Sequence, residues 1–228
     1  MSRICRIGGV AAWTLFVYTI LVMIIAFGLG GAPSSAEETF ALLQENRMVG
    51  LLRLDAWTLA GMPLYYLFFA GICAALWRTD GPLAGLATAL AFIGVTLFLS
   101  TPSVTSMVYL SGKYAGAVTE AQKSLYLAAG EAVIASDLWH ATGPVLGGIL
   151  LQGAGVVLSV LMLRGTIFGK VAAVIGILTY GLDLAHIVFG FFAPDVSVGL
   201  MIVGGTLYLV WFPVAAWKLL RSSNKPVG

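Results

Sequence analysis

The sequence predicts an all-α bundle of membrane-spanning helices, and three observations predict it. Of 228 residues, 60% are hydrophobic and only 10% charged, against about 25% charged in soluble domains. Six apolar runs are long enough to cross a hydrocarbon core of ~30 Å. None of the six shows strict period-two alternation, so helices that satisfy their own backbone groups are favoured over a barrel. The two cysteines, Cys5 and Cys73, form neither a disulfide framework nor a thiolate metal site. A formal net charge of +2, spread along the chain, excludes a nucleic-acid partner.

The first expected span is 10–29. Arg3 and Arg6 precede it and Ser34-Ser35-Ala36 follows, as in a signal peptide, but the apolar run exceeds the ~7–15 residues of a signal core, so an uncleaved helix is expected. The next spans are 56–76 and 83–109, the latter extended past Pro102. The last three are 141–163, 171–192 and 198–219, and all six belong to one transmembrane domain, 1–228. The links at Trp77 to Pro82 and Arg164 to Lys170 are short, so the spans they join are antiparallel neighbours.

Positive charge sets the expected orientation. With the N-terminus inside, Arg3, Arg6, Arg78, Arg164, Lys170, Lys218, Arg221 and Lys225 are cytoplasmic, against Arg47, Arg53, Lys113 and Lys123 outside, so both termini are expected in the cytoplasm. The long links 31–55 and 111–140 then lie outside. Ser35 stands three before Glu38 and Thr119 three before Gln122, both capping-box spacings. Each link is expected to form an extracytoplasmic amphipathic helix that either lies on the membrane or lids a cavity.

Within the spans, Gly143 and Gly147, Ala172 and Gly176, and Gly81 and Gly85 repeat small residues at four-residue spacing. Such stripes allow close helix approach inside the bundle or between copies, so a homo-oligomer stays open. Trp13, Trp57, Trp77, Trp139, Trp211 and Trp217 fall mostly near span ends, as interface anchors do. Membrane lipid is therefore an expected partner.

The most specific feature is a repeated tetrapeptide. Both histidines of the chain follow an aspartate by three residues, in Asp137-Leu138-Trp139-His140 and Asp183-Leu184-Ala185-His186. Three-residue spacing puts both side chains on one helical face, where the Asp can hold the His in one tautomer or ligate beside it. Counting from the Arg164–Lys170 turn at ~1.5 Å per residue, the two His differ in height by roughly 12 Å. That strains direct co-ligation and favours an outward-facing funnel, its mouth carrying Arg53, Asp55, Asp137 and His140 and its floor Asp183 and His186 with Tyr180.

Asp183 is the one acid inside a span, and an ionisable group there is by default a functional candidate. Three readings stay open. Asp183 and His186 form a buried structural pair; or they serve a small-molecule ligand or an ion pathway; or His140, His186, Asp137 and Asp183 hold zinc or haem. No Gly-x-Ser-x-Gly elbow or His-Glu-x-x-His helix occurs, so catalysis is not the leading expectation and no cofactor is expected outside the third reading.

At Thr119-Glu120-Ala121-Gln122-Lys123 through Ala128-Ala129-Gly130-Glu131-Ala132, and at Val160-Leu161-Met162-Leu163-Arg164 through Phe168-Gly169-Lys170-Val171 and Gly176-Ile177-Leu178, the chain resembles a bacterial six-span membrane family catalogued as domain of unknown function 4386. The resemblance lies in the span plan and in these segments. It implies a six-helix fold in the inner membrane and carries over no activity and no site residue.

Overall fold

A computed structural model describes residues 2–54, 56–101, 103–137 and 140–223, which are helical with short connections. The elements are α1 (Ser2–Leu29), α2 (Ala36–Glu45), α3 (Arg47–Arg53), α4 (Ala56–Leu99), α5 (Val104–Ala115), α6 (Glu120–Ile134), α7 (Thr142–Arg164), α8 (Gly169–Phe189) and α9 (Pro194–Ser223). Five stretches are long and apolar enough to cross a membrane, one of them Ala56–Ala115, at 60 residues.

α4 is two arms rather than one rod. Asp80 leaves helical geometry (φ −159°, ψ 87°), and its carboxylate accepts the backbone N–H of Leu83 at 3.1 Å, which caps the second arm. Gly81 and Pro82 fill the first turn of that arm, where a missing N–H costs nothing. The arms run antiparallel, since the Tyr66 and Thr96 hydroxyls meet at 2.7 Å and the Tyr66 and Phe92 rings at 5.0 Å.

The long helices form an up-and-down ring in chain order: α1, the two arms of α4, α7, α8, α9, and back to α1. Glycines set the close crossings. A Cβ on Gly8 would fall 2.6 Å from the Gly71 Cα, and one on Gly94 2.5 Å from the Gly147 carbonyl oxygen. The expected stripe at Gly143 and Gly147 therefore contributes Gly147 to packing within the bundle. Gly169, at φ +78°, opens α8 in a conformation that L side chains rarely adopt.

Inside the ring lies a core that includes Phe68, Phe69, Leu158, Tyr180, Trp211 and Phe212. Outside it, Val10, Val17, Leu21, Ile24, Leu178, Ile202 and Val210 remain exposed. An apolar exterior around a packed interior is the pattern of a bundle solvated by lipid.

At the end of the ring where α1 finishes and α9 begins, α2, α3, α5 and α6 make a cap with its own core of Ala36, Phe40, Leu43, Leu54, Val104 and Met107. Two expectations are corrected here. The run 83–109 is not one helix: α4 stops at Leu99 and 104–115 joins the cap as α5. The hydroxyls of Ser100 and Thr101 turn back onto the Leu97 carbonyl, and the residue before a proline is poorly placed in a helix; Pro102 itself lies outside the described residues. The long links also do not carry one isolated amphipathic helix each. Link 31–55 carries two helices, and all the cap helices bury their apolar faces against one another.

Candidate functional site: a cavity inside the ring

The cap is tied down by side-chain caps. Ser35 accepts the Glu38 N–H at 3.2 Å, Glu131 reaches from α6 to accept the Ala36 N–H at 2.7 Å, and Glu38 accepts the Ser34 N–H at 2.9 Å. Thr119 and Gln122 form a reciprocal capping box. Arg53 closes the assembly, donating from Nε to the Gly31 carbonyl and from its terminal nitrogen to Glu38, both at 2.9 Å. The Ser34 N–H and the guanidinium hold Glu38 below the usual carboxylate range.

Two cavities replace the single expected funnel. The outer one, about 370 Å³, lies under the cap and is lined by Arg53 and Asp137 among mostly apolar side chains. The inner one, about 560 Å³, lies within the ring and is lined by His140, Asp183 and His186. Trp57 and Met201 line both, so they form the shared wall. Asp55 is outside the described residues. Tyr180 does not line either cavity; it is buried in the core, where its oxygen accepts the Trp211 indole N–H at 3.0 Å.

The two Asp-x-x-His pairs behave differently. In the outer pair, Asp137 Oδ1 lies 2.9 Å from His140 Nδ1 and 3.2 Å from its backbone N–H. His140 is 61% exposed and sits before the first turn of α7, at the rim. In the inner pair, Asp183 and His186 share a helix face, yet the partner of His186 is Ser197 on α9. The Ser197 hydroxyl donates to the His186 carbonyl at 2.9 Å and so accepts from Nδ1 at 2.7 Å, while the Ser197 carbonyl, which can only accept, lies 3.1 Å from Nδ1. Nδ1 therefore carries the proton, and Nε2 is the nitrogen left for another partner.

Asp183 turns instead to α7 and α9. Gln152 Nε2 donates to its Oδ2 at 2.7 Å, and the Tyr208 hydroxyl stands 3.0 Å from the same oxygen and 3.0 Å from Gln152 Oε1. Gly204 packs beside the carboxylate, where a Cβ would be in ordinary contact with Oδ1 at 3.6 Å. Gln152, Tyr208 and Thr58 complete the polar lining. Thr58 is fully buried, and its Oγ1 has no hydrogen-bond partner among the described residues.

Sequence reasoning missed Gln152, Tyr208, Ser197 and Thr58. Gln152 carried a signal, as an amide in the middle of an apolar span, which requires a partner in lipid. Among the described residues no three of His, Cys, Asp and Glu gather as a metal site. The chain matches no known protein family, no curated protein and no solved structure.

Proposed function

We propose that this chain is a six-span protein of the bacterial inner membrane, with both termini in the cytoplasm, that binds a small solute in its inner cavity. The six crossings are α1, the two arms of α4, α7, α8 and α9. The charge asymmetry of the links supports the orientation, and the resemblance to the domain of unknown function 4386 family supports the location.

One observation carries the ligand reading. The only acid within the expected spans faces a 560 Å³ cavity, on a bed of neutral donors. A volume of this size falls in the range of ~300–1,000 Å³ typical of small-molecule sites. A purely structural Asp–His pair would pair its two members, and here each has a different partner.

The test is small-molecule mass spectrometry of material extracted from the purified wild type and from Asp183→Asn. A compound held by the wild type and released by a variant of unchanged melting temperature is the expected result. Equal content in both, or a variant that fails to fold, makes Asp183 a structural residue. Metal analysis and an absorption spectrum on the same samples test the zinc or haem reading, which rests on His140 and His186 lining one cavity.

A further inference from the structure

We propose that the inner cavity selects a lipophilic organic monocation: an amine or quaternary ammonium carrying an apolar or aromatic body. This deepens the ligand reading above and rests on it. The charge of the lining is the first argument. Gln152 and Tyr208 solvate Asp183 without neutralising it, and among the described residues no Lys or Arg lies within 4.0 Å of its carboxylate. An ionised carboxylate in low dielectric with only the His186 ring, one turn along the same helix, near it is costly, and a ligand that brings a full positive charge relieves that cost. An anionic ligand would add to it.

The walls supply the second argument. Trp57, Tyr65, Phe98, Phe191 and Tyr208 put five aromatic rings around the space. Aromatic faces attract cations, quaternary ammonium groups above all, and also bury an apolar body. The third is size and donor set. The cavity holds far more than a bare ion, and among the described residues no three of His, Cys, Asp and Glu gather closely enough to chelate a metal. The arrangement is that of an organic-cation site: one carboxylate faced by several aromatic rings.

The experiment uses a matched pair of probes on the full chain in nanodiscs, with empty discs as the blank. Benzyltrimethylammonium and neopentylbenzene have nearly the same shape and differ in charge. Saturable binding of each is measured on the wild type, on Asp183→Asn, and on Val145→Trp, which fills the cavity. The expected result is saturable binding of the cation, abolished by Val145→Trp, weakened about tenfold or more by Asp183→Asn, and about tenfold or more tighter than that of the neutral probe. Equal binding of both probes that Val145→Trp abolishes would overturn the cation selectivity and leave the cavity a ligand site. No saturable binding of either probe would overturn both. The wild-type comparison of the two probes needs no variant to fold, so a misfolded Asp183→Asn leaves the selectivity decided.

Discussion

At the residue scale, His186 and Ser197 show how a bundle chooses a tautomer. Because a carbonyl and an already-donating hydroxyl both face Nδ1, the neutral ring carries its proton there. Nitrogen NMR of labelled histidine is expected to show His186 as the Nδ1–H tautomer, and Ser197→Ala to keep that tautomer through the remaining backbone carbonyl while lowering stability by about 0.5–1.5 kcal/mol. Gly155 makes the opposite kind of contribution, by absence. A Cβ there would fall 2.4 Å from the Tyr180 ring, which is itself wedged in the core. Gly155→Ala is expected to destabilise the bundle by about 1–3 kcal/mol, read from thermal unfolding in detergent.

At the element scale, the cap depends on charge placed at helix ends. Glu38 is held below its ordinary value, first by the Ser34 N–H and then by Arg53. Its contribution is therefore fully present above the unfolded value, near 4.3, and is lost as pH falls through the lower folded value. Hydrogen exchange at residues 34–42 is expected to accelerate below about pH 4, and Glu38→Gln to show fast exchange at neutral pH with little further change in acid. The arms of α4 illustrate a different rule. Asp80-Gly81-Pro82 turns the chain by supplying a cap, a small residue and a proline that needs no N–H partner, so the helix reverses where its apolar pattern would otherwise continue.

At the scale of the whole molecule, the ring places both described ends, Ser2 and Ser223, with Asp80 and the α7–α8 turn at one end, and the cap at the other. If six crossings and cytoplasmic termini are right, Lys123→Cys is labelled by an impermeant maleimide in intact cells and Arg164→Cys only after permeabilisation, in a background lacking Cys5 and Cys73. The reverse pattern would invert the orientation, and labelling of both from outside would deny the six-span plan.

Local chemistry made much of this legible in advance. Apolar runs of crossing length, the short links, and the Ser35 and Thr119 caps depend on neighbours in sequence, and a polypeptide in lipid must satisfy its backbone within each run. Asp183 stood out for the same reason, since its cost in a span is set by the bilayer. Tertiary structure alone decided what those residues touch. Three-residue spacing brought Asp183 and His186 to one face, but hydrogen bonds are won by the nearest competent partner, and Gln152, Tyr208 and Ser197 come from other helices. The funnel divided into two spaces that share Trp57 and Met201 in their walls. The region after Leu99 left the bundle because α2 and α6 offered α5 an apolar face to bury against. Composition and periodicity set where most of the long apolar helices run; the close approach of distant glycines and the competition for a few buried polar partners determined the cavity.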